Sequence, residues 1–188
     1  MVQGNLNELN NSVKVGMFNL RDGRNVSELN ADDRGQVRAV IALVDEEKRY
    51  AVGLCPVRLM LPFSFSCLSF RTEGIRSGRE ATKILQEEAA KQGVELPAAE
   101  FCINYDKNGG TKGEAFLPSA GELQQFPVVT LQSAWRKIGM ADCHGTLWSS
   151  TINSQYDVWV ASYNPLALGG WRNQYLTFGL MPAIEIAL

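Results

Sequence analysis

The chain has 188 residues, of which 45% are hydrophobic and 20% are charged, and its formal net charge is −2 at pH 7. This composition is ordinary for a globular protein with one hydrophobic core. The charge balance argues against a nucleic-acid-binding surface, which requires clustered positive charge. Because no run of about 18 apolar residues occurs, the sequence predicts no membrane span.

The N-terminal third predicts two regions. Residues 1–14 are polar and rich in Asn, which indicates a flexible N-terminus without the apolar core of a signal peptide. Residues 15–72 predict an N-terminal β-meander, since two apolar runs at 36–44 and 49–54 flank a charged turn. We expect residues 73–188 to form the main domain and to pack with this meander as one compact unit.

Helix signals dominate the middle of the chain. Ser77 precedes a stretch of helical periodicity, with Glu80 three residues later, and Gly93 provides a stop signal. Pro97 suits the first position of a second helix. Ser119 and Glu122 form a second capping-box pattern and so already have a structural role. A further helix is expected over residues 128–138.

Strand-forming residues dominate from residue 147 onward, and this segment is nearly free of charge. Trp148 is expected in the core, with its indole N–H bound to a backbone carbonyl. Val158 and Val160 are the better core candidates in the next strand, so Trp159 and Ala161 should face outward. Turns are expected at residues 164–165 and 169–170, which makes Trp171 an exposed aromatic residue.

The reactive side chains do not predict catalysis. The cysteines Cys55, Cys67, Cys102 and Cys143 lack the paired spacing of a zinc site, which leaves free buried thiols or two disulfides, the thiols being favoured. The single histidine, His144, adjoins Cys143, but neighbouring residues in a strand point to opposite faces. The sequence therefore predicts a protein that is not an enzyme and that uses no metal or cofactor.

Three motifs together resemble a known family. They are Ala-Ala-Glu-Phe-Cys at residues 98–102, Phe-Leu-Pro-Ser-Ala-Gly-Glu-Leu at 116–123 and Leu-Trp-Ser-Ser-Thr at 147–151. In this order they resemble the C-type-lectin-like domains of bacterial and phage surface proteins, including Bacteroides-type members. The resemblance implies an α+β, C-type-lectin-like fold with two or three helices on small antiparallel sheets, here with an N-terminal β-hairpin extension.

The resemblance also implies a function. The region after residue 151 would be the recognition surface, on a phage particle or a bacterial cell surface, binding a protein or glycan ligand. In some such proteins a retroelement diversifies this region, and its Asn, Tyr, Ser and Asp residues are compatible with that process. The motifs of calcium-dependent sugar binding are absent, so we expect no calcium dependence.

The recognition surface is predicted from aromatic rings interleaved with amides, a mixture that gives contact area at little entropic cost. The alternative is a structural or assembly subunit that uses the same surface for homo-oligomerisation. The predicted ligand-binding residues are Asn153, Gln155, Tyr156, Asp157, Trp159, Tyr163, Asn164, Trp171, Arg172, Asn173 and Tyr175.

Overall fold

A computed structural model of the chain describes residues 12–106, 112–140, 145–163 and 169–188. Most of the predicted flexible N-terminus lies outside these residues. The described strands are β1 (Phe18–Leu20), β2 (Asn25–Val26), β3 (Val37–Asp45), β4 (Tyr50–Leu54), β5 (Leu59–Pro62), β6 (Thr146–Ile152), β7 (Asp157–Ser162), β8 (Gly170–Asn173), β9 (Thr177–Leu180) and β10 (Ala183–Ala187). The described α-helices are α1 (Gly78–Gln92), α2 (Pro97–Asn104), α3 (Ala120–Gln125) and α4 (Val128–Lys137).

The strands form two five-stranded sheets, with the orders β10-β4-β3-β1-β2 and β5-β9-β6-β7-β8. The pairs are antiparallel except for a short parallel contact between β6 and β9. Each sheet combines early and late strands, because β10 pairs with β4 and β9 pairs with β5. A domain boundary between residues 72 and 73 stays a prediction.

The core lies between the sheets and the helices that cover them. Trp148 of β6 is fully buried, as predicted, and its indole N–H donates a hydrogen bond of 2.8 Å to the carbonyl of Leu61. Its ring meets Phe63 and Phe178 edge-on, with centroids 5.6 and 4.9 Å apart. Edge-to-face packing is a favoured arrangement of aromatic rings, and burying a side chain of this size contributes roughly 3 kcal/mol.

The predicted helix starts are confirmed. Ser77 caps α1 by accepting a hydrogen bond from the amide of Glu80, and Gly93 ends this helix with a φ of 64°, in the left-handed region. Pro97 opens α2. Ser119 caps α3 in a complete capping box with Glu122. These helix ends were readable because capping depends on residues only three positions apart.

The α+β class is confirmed, but the prediction of a C-type-lectin-like fold is wrong. The described chain has four α-helices instead of two or three, and its sheets have five strands each. The early strands are built into both sheets instead of forming a hairpin extension. The motifs behind the resemblance specify only local structure, namely a helix cap and a buried strand. Such local structures recur in many folds.

Candidate functional site

Three loops meet at one end of the second sheet, at residues 63–68, 153–157 and 173–177. Gln174 lies at their junction and is completely buried. Its side-chain amide donates hydrogen bonds of 2.9 Å to the carbonyls of Ser66 and Gln155. Its backbone N–H donates to the carbonyl of Tyr156 at 2.9 Å. One side chain therefore ties together segments about 20 and 108 residues away along the chain.

Backbone hydrogen bonds strengthen the same junction. The carbonyl of Gln174 accepts from the amide of Phe63 at 3.0 Å, and the carbonyl of Gln155 accepts from the amide of Leu68 at 3.2 Å. Buried polar groups that find partners hold their segments in one arrangement. The three loops are thus a pre-organised surface instead of independent turns.

Four large side chains project from these loops into solvent, and we call them the aromatic end. They are Phe65, Tyr156, Tyr175 and Leu176, which are 63%, 43%, 45% and 48% exposed. Exposed apolar residues that occur singly need no explanation, but a group of them around one rigid junction is typical of a contact surface.

The aromatic end carries no formal charge. The Cys67 thiol lies 3.3 Å from the hydroxyl of Tyr175, and hydrogen bonding to this thiol raises the pKa of both Tyr156 and Tyr175. Both phenols are therefore neutral at physiological pH. The other exposed side chains of the three loops are uncharged too, namely Ser66, Cys67, Gln155, Asn173 and Thr177.

The strand pair β7–β8 extends this surface along the sheet. Trp159 faces Trp171 across the pair, and Asp157 faces Asn173. The Trp159 ring lies over Gly169, where a Cβ atom would come within 2.8 Å of it. Only a glycine allows the ring to pack so closely there.

The structure divides the predicted ligand-binding residues into three groups. Asn164 lies outside the described residues. The half-buried residues are Asn153, Asp157 and Trp159. The exposed residues are Gln155, Tyr156, Trp171, Arg172, Asn173 and Tyr175.

Three side chains that were assigned to the outward face or to the ligand-binding surface pack into the core. Tyr163 is 1% exposed and packs edge-on against Trp135, with ring centroids 6.5 Å apart. It therefore belongs to the core and not to a ligand-binding surface. Ala161, expected to face outward, is 6% exposed. Trp159, also expected to face outward, is half-buried against the same core, because both faces of β7 are covered.

Sequence reasoning missed Phe65, Cys67, Gln174 and Leu176. Phe65 and Cys67 follow Pro62 in a stretch to which no strand was assigned from the sequence. The structure nonetheless places β5 at the edge of its sheet, where proline is tolerated. Gln174 carries no local signal, since its partners lie in distant loops.

The buried titratable groups have structural explanations. Burial raises the pKa of the Cys55 thiol to about 12 and that of Cys102 well above its usual value, which keeps both protonated and poorly nucleophilic. Burial likewise raises the pKa of Glu122, although its carboxylate accepts backbone hydrogen bonds from Gly78 and Ser119. Cys55, Cys67 and Cys102 are free thiols, whereas Cys143 and His144 lie outside the described residues.

The described part of the chain shows neither a group of metal ligands nor a helix that could span a membrane. No group of three or more His, Cys, Asp or Glu side chains within it is arranged to hold a metal ion. None of its helices combines the length and apolar character needed to cross a bilayer.

Comparison with known proteins shows that the fold is similar to that of a solved structure. The crystal structure of a fimbrial protein from Bacteroides ovatus matches 91% of this chain with a TM-score of 0.69 and 12% sequence identity. The match spans 48% of that protein, so the chain covers about half of its length. No protein-family model matches the sequence. No curated protein matches it either.

The fold is therefore similar to that of the fimbrial protein, and the predicted C-type-lectin-like fold is wrong. Over nine-tenths of its length, the chain superposes on a fimbrial protein. At 12% identity the similarity concerns the fold alone.

Proposed function

We propose that this chain is a non-enzymatic protein of the bacterial surface, of fimbrial type, and that its aromatic end is a contact surface. The observation that carries the proposal is the Gln174 junction, which fixes four exposed large side chains on three loops. Contact surfaces use rigid aromatic residues because these supply area at little entropic cost.

The bacterial surface setting comes from the comparison. A solved structure with a similar fold is described as a fimbrial protein. This chain covers about half of that protein, and the proposal concerns the surface that this chain provides.

The non-enzymatic part of the proposal rests on the chemistry of the described site. The exposed groups near the junction are phenols, amides, hydroxyls and the Cys67 thiol. The buried thiols are held protonated. Of the buried carboxylates, Glu122 is engaged in a helix cap and Asp33 in an ion pair with Arg24. This inventory suits recognition better than acid–base or nucleophilic chemistry.

The second candidate is an assembly subunit that associates through the same end. It is favoured by further exposed apolar residues on the neighbouring edge strand β5, where Leu59 is 37% and Met60 is 50% exposed. Edge strands with exposed apolar side chains are prone to pair with another chain. Retroelement diversification of residues 153–175 stays a prediction, to be tested by sequencing the gene in many individuals.

The test uses the double variant Tyr156→Ser/Tyr175→Ser. We expect unchanged far-UV circular dichroism, because both side chains are exposed. We also expect fluorescent beads coated with the variant to lose adhesion to mucin-coated surfaces, or its solutions to lose concentration-dependent association in analytical ultracentrifugation. A variant that adheres and associates as the parent does would refute the proposal.

A further inference from the structure

We infer that the aromatic end binds a neutral oligosaccharide. This inference rests on the proposed contact surface and specifies its ligand. Three features of the described residues carry it: the size of the surface, its lack of charge, and the polar groups between its rings.

The aromatic end is small. Three aromatic residues at about half exposure and one leucine present roughly 400 Å² in total, since a whole aromatic side chain covers about 150–250 Å². A stable protein–protein interface takes about 800 Å² from each partner. These four side chains alone supply about half of that area, and this is sufficient for a few sugar rings.

The neutrality of the surface selects the class of sugar. No exposed side chain of the three loops is charged, although charged residues make up 20% of the chain. Among the flanking charges, Asp157 accepts a hydrogen bond from the Ser154 hydroxyl at 3.0 Å, and Arg172 donates to the carbonyl of Trp171 at 2.8 Å. An acidic sugar would lose its hydration without gaining a cation in these loops, whereas a neutral sugar loses little.

The rings and amides match the two kinds of group that a sugar presents, its C–H face and its hydroxyls. The face of an aromatic ring is electron-rich, so it attracts the weakly positive C–H face of a pyranose. The hydroxyls of Tyr156 and Tyr175 and the exposed amides of Gln155 and Asn173 belong to the same loops as the rings. Such groups can exchange hydrogen bonds with sugar hydroxyls and fix the orientation of the ligand.

Pre-organisation makes a small contact area effective. Two of the three loops are held by the buried amide of Gln174, and the third contains Gln174 itself. The Cys67 thiol lies at hydrogen-bonding distance from the Tyr175 hydroxyl, which restrains that ring. A surface that is already ordered spends less free energy on binding.

The experiment is a calorimetric titration of the full chain with hexasaccharides of four neutral types, namely β-glucan, mannan, xylan and chitin. Oligogalacturonate of the same length is the acidic comparison. We expect at least one neutral hexasaccharide to bind with a Kd between about 10 μM and 1 mM, and oligogalacturonate to bind at least about tenfold more weakly.

Single variants locate the binding. Tyr156→Ala and Tyr175→Ala should each weaken binding by about tenfold or more, whereas Tyr175→Phe, which keeps the ring, should stay within about threefold. Val129→Ala is the matched control, because this α4 residue is apolar and 81% exposed. Its affinity should equal that of the parent chain.

The inference falls if no neutral hexasaccharide binds, if oligogalacturonate binds equally well, or if the tyrosine variants bind as the parent does. Its failure is distinguishable from failure of the proposed function. If no oligosaccharide binds but Tyr156→Ser/Tyr175→Ser still abolishes adhesion or self-association, the contact surface stands and its partner is not a neutral oligosaccharide. If the double variant changes nothing, both conclusions fall.

Discussion

Two buried polar side chains organise different ends of this molecule. Glu122 sits at the helix junction, where its carboxylate accepts hydrogen bonds from the amides of Gly78 at 3.1 Å and Ser119 at 2.8 Å. Gln174 sits at the aromatic end, where its amide donates to two loop carbonyls. The first satisfies orphan donors at the start of two helices, whereas the second satisfies orphan acceptors in two loops.

The difference lies in how far each side chain reaches and in what surrounds it. Glu122 caps its own helix through a residue three positions away and joins it to α1 in the interior. Gln174 has no such local partner for its side chain and lies beneath an exposed surface. In this chain, short-range chemistry builds the scaffold, whereas long-range hydrogen bonding shapes the surface proposed to make contact.

The largest expected effect comes from Gly78→Ala at the helix junction. A Cβ atom there would lie 2.7 Å from the Leu117 carbonyl oxygen and 2.7 Å from the Ser119 amide nitrogen, and backbone cannot move aside easily. We expect the free energy of unfolding, measured in urea, to fall by more than about 3 kcal/mol. Gly121→Ala in α3 is the control and should be neutral or stabilising, since the nearest atom would be 3.9 Å away.

Glu122→Ala should be nearly as damaging. It leaves the buried amides of Gly78 and Ser119 without an acceptor, which costs about 3 kcal/mol in the same urea titration. Glu80 also follows its cap serine by three residues but is exposed, so Glu80→Ala should cost less than about 0.5 kcal/mol. Equal losses for the two variants would contradict the role assigned to burial.

Gln174→Ala should cost about 2 kcal/mol, because two buried carbonyls lose their donors and a cavity remains. Amide hydrogen exchange should accelerate at Phe63 and Leu68, whose amides bond within the junction, but not at the amides of α1. The exposed Gln155 provides the matched control, and Gln155→Ala should leave both exchange and stability unchanged. Unaltered exchange in Gln174→Ala would show that the loops order themselves without it.

The smallest expected effect is a pH dependence at Glu122. Burial raises the pKa of this carboxyl in the folded state. The folded chain therefore holds the proton more tightly than the unfolded chain, and the resulting stability is present below the unfolded pKa and lost as the pH rises through the folded pKa. Against Glu122→Gln, the parent chain should lose relative stability in urea titrations as the pH rises above the ordinary pKa of a glutamate, about 4.3. A flat difference would mean that the backbone hydrogen bonds offset burial completely.

The predictable parts of this structure were those with local causes. The caps at Ser77 and Ser119, the glycine stop at Gly93 and the buried Trp148 each follow from a few neighbouring residues. Of the candidate site, the exposure of Tyr156, Trp171 and Tyr175 was predictable from turn signals and the mixture of aromatic and polar residues.

The parts that could not be predicted depend on pairing across the chain. The sequence near Tyr163 does not show that this side chain is covered, because the residue that covers it, Trp135 of α4, is distant along the chain. The sequence around β5 and β8 does not by itself indicate strands. These strands are defined by their pairing, β5 with β9 and β8 with β7. A capping box and a Trp-Ser-Ser-Thr strand stabilise their own surroundings, but they do not specify the order of strands in a sheet.

The pairing of β10 with β4 has a consequence for synthesis on the ribosome. Leu54 finds its partner in Ala183, so β4 emerges long before the strand that covers its free side. Until then, an open β edge rich in apolar residues is available to neighbouring nascent chains. Completion of the first sheet must therefore await the emergence of residues 183–187, and a chain that stalls before residue 183 would be prone to aggregation.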